Sequence, residues 1–228
     1  MSRADELFQI LLSGQDSSKG KTANDFLSEL HKGYQIESVQ ILLESSNPTV
    51  IEHGLFLIDE LGRKAAPLRA AAIKLASQSD YYRRYTFLSF CIKTKLVDDE
   101  IIVAIGQLLD DPDLRVRVRA MLWMANTKLH ALHLLWQILY PNETFSLEDV
   151  VGEWPKERYL RRGQRAFRIG IGIKLGQDLA NIQEMMYHED NYTFDMLKEF
   201  YVNIEPVIPD ADFIDSKSYW ERQREGRR

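Results

Sequence analysis

The sequence predicts an all-α fold, an α-solenoid of stacked antiparallel helix pairs with about 10 to 12 helices. Three observations lead there. Apolar residues recur in columns 33 residues apart, a short polar residue able to cap a helix recurs at the same interval, and glycine and proline punctuate the chain where such helices should end or begin. A helix pair of that length cannot bury both faces alone, so successive pairs stack and share a core. The alternative is an irregular helical bundle whose apolar residues align through helical periodicity alone.

Residues 4–12 form the first helix, with Leu7, Ile10 and Leu11 on one side. Ser13 to Lys21 is rich in glycine and serine and reads as a connection. The next helix, Thr22 to His31, presents Phe26, Leu27 and Leu30, and Lys32-Gly33 ends it with glycine as its cap. From Glu37 the periodic part begins. Leu42, Leu75 and Leu108 align, as do Leu43, Ala76 and Leu109. After the turn, Leu55, Leu88 and Met121 share a column, then Leu57, Phe90 and Trp123, then Ile58, Cys91 and Met124. Asn47, Asp80 and Asp113 make the capping column. Gly62 fits a helix end and Pro67 the first turn of the next helix. In the third copy, Asp111-Pro112 breaks one helix and is expected to open the next, with Asp as N-cap and Pro at the first helical position.

A further apolar helix is expected over 128–140, read as half of a degenerate fourth repeat and closed by Pro141-Asn142. A long helix follows from Pro155 to about Leu175, then helices near 177–188 and 193–203. The chain is thus expected to be one helical domain over 1–215, with its repeats best defined at 36–126, a helical extension at 153–205 and a charged tail at 216–228.

The stretch LLDDPDLRVRVRAMLWMA resembles a HEAT repeat, and LLESSNPTVIEHGLFLIDELG a divergent one. The resemblance covers residues 36 to 126 and is strongest in the third copy. It implies a ladder between repeats, built from an aspartate in the turn and an arginine on the second helix. Asp111 and Arg117 stand at those places, whereas the second copy has Gln78 with Arg84 and the first has Ile51. An incomplete ladder leaves stacking to apolar contacts. The GLFLIDELG stretch is also similar to repeats of antitoxin-like families, which implies a protein-binding immunity role.

Composition limits the function. Net charge is −5, so the chain as a whole is not a basic nucleic-acid binder. Cys91, the single cysteine, excludes an internal disulfide and a cysteine-rich zinc site, and its apolar neighbours make it a buried thiol. The short apolar run at the start, with acidic flanks, is neither a signal peptide nor a membrane span, so a cytoplasmic protein is expected.

The clearest constellation lies on the Pro155 helix. Arg158, Arg161, Arg162, Arg165 and Arg168 fall within an arc of roughly 120°, opposite Tyr159, Leu160, Ala166, Phe167, Gly170 and Ile171. The arginines are expected to stand on an exposed face, where they either hold carboxylates, phosphates or an acidic partner, or pair with the protein's own Glu153, Glu157, Glu184 and Glu189. Trp154, beside proline in a loop, is an expected partner anchor.

Other motifs fall short. Glu184 and His188 lack a second histidine at ligand spacing, and His130 and His133 lack a carboxylate, so no metal is expected. Gly14 with Gly20-Lys21-Thr22 misses the phosphate-loop spacing and follows no strand, and Gly170-Ile171-Gly172 suits close helix packing instead. No cofactor and no catalytic constellation is expected.

The function expected is therefore a non-enzymatic protein-binding scaffold, an immunity or antitoxin-type protein that occludes a cognate toxin. The alternatives are a HEAT-like DNA glycosylase, for which the arginine helix and Trp123 or Trp136 would be the relevant pieces, and an adaptor in a larger complex. Against the glycosylase stand the net charge of −5 and the lack of further basic rows on the repeat helices beyond Arg83, Arg84, Arg115 and Arg119. Reversing charge with Arg161→Glu and Arg165→Glu should abolish partner binding without unfolding the chain; unchanged affinity in a titration of the double variant would remove the arginine face from consideration.

Overall fold

The structure, a computed structural model, describes residues 1–15, 20–142 and 162–174. Ten α-helices and one 3-10 helix, and no strand, occur among the described residues. The helices expected near 177–188 and 193–203, and the charged tail, lie outside them. The chain divides into two compact units, Met1–Ala104 and Ile105–Arg228.

The first unit begins with α1 (Arg3–Ser13) and α2 (Lys21–His31), which pack as a pair. A capping box starts α1: Ser2 Oγ accepts from the Asp5 amide at 3.2 Å while an Asp5 carboxylate oxygen accepts from the Ser2 amide at 2.8 Å. Phe8 and Phe26 join the two helices, their rings 5.7 Å apart, and Tyr34 closes the cluster edge-on to Phe26. The Tyr34 hydroxyl donates to Asp5 at 2.9 Å, which with the Ser2 hydrogen bonds holds the Asp5 carboxyl below its usual range.

Next come α3 (Ser38–Leu43) and α4 (Pro48–Glu60), a closely packed pair. Gly54 makes that approach possible. A methyl group there would sit 2.9 Å from the Leu43 main-chain nitrogen and 3.1 Å from the Leu42 carbonyl carbon. The left-handed Gly62 follows α4, and a 3-10 helix, Gly62–Leu68, leads into α5 (Arg69–Leu75). Pro67 thus lies in the 3-10 segment ahead of α5 and not in the helix's own first turn. That placement leaves the first α-helical turn free of the ring. The 3-10 segment and α5 both pack on α6 (Tyr81–Thr94), which also lies against α4.

Ion pairs tie this unit together at its surface. Lys93 bridges to the Asp59 carboxylate and donates to the Asp59 carbonyl, both at 2.9 Å, so the ends of α6 and α4 are linked. Arg69 grips Asp98 with two 2.7 Å hydrogen bonds and reaches Glu100 as well. The guanidinium holds the Asp98 carboxyl below the ordinary carboxylate range. These pairs are partly exposed and screened by solvent, so they fix orientation while the apolar core supplies stability.

The division between the units falls within α7 (Asp99–Leu108). The second unit contains the end of α7, then α8 (Leu114–Asn126), α9 (Leu129–Leu139) and α10 (Arg162–Lys174). Gly106 lies against Leu135 and Ile138, which seats α9 on the end of α7. Trp136 stacks on Tyr140 with ring centres 4.0 Å apart, and Phe167 of α10 completes the aromatic group. Three contacts orient α10 along α8. Gly163 lies against Asp110 at the approach to α8, Gly170 against Met124 near its end, and the Lys174 ammonium donates to the carbonyls of Ala125 and Thr127. The two helices therefore run in the same direction.

The 33-residue register appears in the atoms as well as the letters. The second helices α4, α6 and α8 begin at residues 48, 81 and 114. Each is preceded by an extended capping residue whose side chain accepts from the amide two positions on, at 3.0 Å for Asn47, 3.0 Å for Asp80 and 2.9 Å for Asp113. The apolar columns are buried throughout, apart from Ala76, which is half-buried. One expectation is corrected here: the cap of α8 is Asp113, two residues after Asp111, and Pro112 precedes the cap instead of opening the helix. Asp111 instead accepts from the Asp113 amide at 2.8 Å and braces the turn. The Asn47-Pro48 step does place its asparagine as cap and its proline at the helix start.

Equivalent arginines serve these turns. Arg84 donates to the carbonyls of Gln78 and Ser79 at 2.8 and 2.6 Å, and Arg117 to those of Asp111 and Pro112 at 2.7 and 3.1 Å. Both guanidiniums are buried, and both satisfy main-chain oxygens of their own turn. Ile51 takes this place in the first copy and is buried as an apolar residue.

Gly54→Ala tests the close approach of α3 and α4. In an open helix the change would stabilise by roughly 1 kcal/mol. Here the added carbon meets main chain that cannot rotate away, so we expect a net loss of about 1–3 kcal/mol in urea unfolding. A variant as stable as the parent would show that the helices are less tightly apposed.

Candidate functional site

The arginine helix is described only in its last two thirds. Trp154, Arg158 and Arg161 lie outside the described residues, while Arg162 and Arg165 belong to α10 with only their helical backbone described. Arg168 is buried at 6% exposure, which corrects its expected place on an exposed face. The reason is geometric. Residues 166 to 171 are all buried, and six successive residues at about 100° each pass right around a helix. In this stretch α10 is enclosed, with no outward side left for a guanidinium to occupy.

The side chains weighed for a DNA groove have other surroundings. Trp123 and Trp136 are each 2% exposed and belong to the core. Arg115 folds back on Asp113 at 2.6 Å, and Arg84 binds the carbonyls of its own turn. Lys174 is spent on the end of α8, where burial lowers its pKa.

The three second helices differ in what they leave exposed. Along α8 nearly every residue from Val116 to Ala125 is buried, and α10 lies beside it. In the first unit, α4 and α6 keep an accessible face. Glu52, Phe56 and Asp59 occupy one stripe of α4, since steps of four and three residues return to the same side of a helix. Glu52 is exposed, whereas Phe56 and Asp59 are half-buried. From α6 come Tyr81, Tyr82 and Tyr85, of which Tyr82 is 44% exposed, the only tyrosine among the exposed large hydrophobic side chains of the described residues. The Tyr81 and Tyr82 rings meet edge-on with centres 6.4 Å apart.

This surface is electronegative. Partial burial raises the Tyr82 hydroxyl pKa first, and the Asp59 carboxylate, Tyr81, Tyr85 and Glu52 raise it further. Tyr82 thus lies within electrostatic reach of both acids of the α4 stripe. Lys93 neutralises part of Asp59 through one oxygen, and the other, buried, has no hydrogen-bond partner among the described residues. Carboxylates and the faces of aromatic rings both attract cations. The signal for this surface was present in the sequence as the cluster YYRRY just after the Asp80 cap and as acids seven residues apart on α4. The arginines in that cluster and the apolar columns drew attention elsewhere.

Among the described residues, no group of three or more His, Cys, Asp or Glu side chains is placed to hold a metal ion. Among the same residues, no helix is long and apolar enough to cross a membrane. Comparison of the chain with protein-family models, with curated proteins and with solved structures finds no match in any of the three.

Cys91 gives a direct check on the packing under this surface. Burial pushes its thiol pKa well up, so at neutral pH it is neither exposed nor ionised. A maleimide reagent should leave the native protein unmodified over hours and label it fully in guanidinium chloride. Rapid labelling of native protein would mean that α6 opens readily.

Proposed function

We propose that this protein is a non-enzymatic scaffold of the HEAT-like kind that binds a protein partner, and that it belongs to the immunity or antitoxin class, occluding a basic toxin domain. The observation that carries this reading is the accessible face of α4 and α6. Acids and tyrosine rings stand there on two adjacent, firmly capped helices. Rigid helices present a fixed pattern of side chains, so little conformational entropy is lost when a partner docks. Tyrosine is favoured at interfaces because it brings large contact area with few rotatable bonds.

The mechanism follows from charge. A protein of net charge −5 attracts a basic partner over several ångströms of solvent, which raises the frequency of productive encounters. Once docked, the partner's catalytic groove would be covered by protein and closed to its substrate. Arg162 and Arg165, near the start of α10, would add contacts to acidic parts of the same partner if they meet it. No step of this mechanism requires a cofactor or a bond-making residue.

The test begins with tagged full-length protein expressed in its native host and identification of what co-purifies. The isolated partner is then mixed with the protein by stopped flow across a range of salt. An association rate that falls steeply as salt rises, together with loss of the partner's own activity in the complex, is the expected outcome. A rate indifferent to salt, or a partner that stays fully active when bound, would refute occlusion by a charged surface.

A further inference from the structure

We infer that the joint between α6 and α7 is a latch: the first turn of α7 opens and closes locally about Lys95, and the clasp of Arg69 on Asp98 and Glu100 sets how often. The device needs no partner and stands apart from the docking reading above. The chain leaves α6 at Lys95, the one non-glycine residue with positive φ among the described residues, at 58°. An L side chain is disfavoured in that left-handed bend, so the joint needs support from outside itself. Its own ties to α6 are few. The Lys95 amide donates to the Cys91 carbonyl at 3.0 Å, and the Leu96 amide to the Thr94 hydroxyl at 3.4 Å. Lys95 and Val97 are exposed.

The support comes from Arg69, the first residue of α5. Its Nε and Nη2 each reach one Asp98 oxygen at 2.7 Å, and Nη2 also reaches Glu100 at 2.5 Å. The same Asp98 starts α7. Its Oδ1 accepts from the Ile101 amide at 3.1 Å, and its carbonyl accepts from the Ile102 amide at 2.9 Å. One residue therefore docks the helix and caps it, and loosening it frees both at once. Among the described residues no other hydrogen bond or ion pair joins residues 95–100 to α5. The side chains of Arg69 and Asp98 are 35% and 36% exposed, whereas Ile101 and Ile102 behind them are buried. Dissolved ions thus reach the clasp and weaken it, while the apolar contacts beneath it are spared.

The closing experiment follows amide hydrogen exchange by NMR in the full chain at low urea. Leu88, buried within α6, serves as the reporter of global unfolding. The Ile101 and Ile102 amides should exchange faster than Leu88 and with little dependence on urea, the mark of a local opening. Arg69→Met should speed them roughly two- to fivefold, the range for a partly exposed ion pair, and leave Leu88 unchanged. Asp98→Asn keeps an oxygen for the Ile101 amide but loses the charge, and it should act in the same direction. The double variant should exchange no faster than Asp98→Asn alone, because the two residues share one interaction. Molar salt should bring the parent close to Arg69→Met and barely move either variant.

Exchange at Ile101 and Ile102 that climbs with urea as steeply as at Leu88 would overturn the latch, since both would then report one global event. Parental rates in Arg69→Met, or single effects that add in the double variant, would overturn the role of the clasp.

Discussion

The constraint on which this architecture depends is the polar main chain of the turns that precede its second helices. The turn before each of these helices leaves amides and carbonyls without intrahelical partners, and a side-chain cap at a helix start contributes about 0.5–2 kcal/mol. The chain meets that demand in two ways at a fixed interval. Asn47, Asp80 and Asp113 take up an amide at each helix start, and Arg84 and Arg117 reach back from inside the helix to the turn carbonyls. The apolar columns can then be buried behind turns of one geometry. In the first copy, where Ile51 stands, the turn residues 46–49 are exposed to solvent.

These requirements explain why so much of the fold was legible. A cap must be a short polar side chain, and a column must stay apolar, so both leave marks in the letters at 33-residue steps. The starts of α4, α6 and α8 follow that count. What the letters concealed was which of two aspartates caps α8. Asp111 before a proline looks like the better cap by local preference alone, but the 33-residue interval selects Asp113. The resemblance to HEAT repeats implied a side-chain ladder between Asp111 and Arg117. The described bonds of Arg117 run to main-chain oxygens, which no residue pattern distinguishes from a ladder.

The functional surface was harder to read, for a physical reason. Helical periodicity separates one face from the other only when a single side of the helix is covered. On α10 the covering is complete around residues 166–171, so the arc that promised to display Arg168 encloses it. On α6 the opposite holds. Tyr82 looks like another core aromatic in a chain rich in them, and only the structure shows that it is exposed on a helix packed against α4. Interfaces of this type combine elements that are distant in sequence, and their signal lies in the juxtaposition.

The N-terminal helices reach the start of α4. At the turn before it, Gly14 sits so close that a methyl group on it would fall 2.4 Å from the Asn47 side-chain amide nitrogen and 3.4 Å from Val50. The left-handed bend at the end of α1 thus lies against the capping residue and the first turn of α4. The leading helix pair acts as a bookend for that helix. A chain shortened past α2 would strip this cover from the cap, so part of what holds the start of α4 comes from ahead of the first repeat.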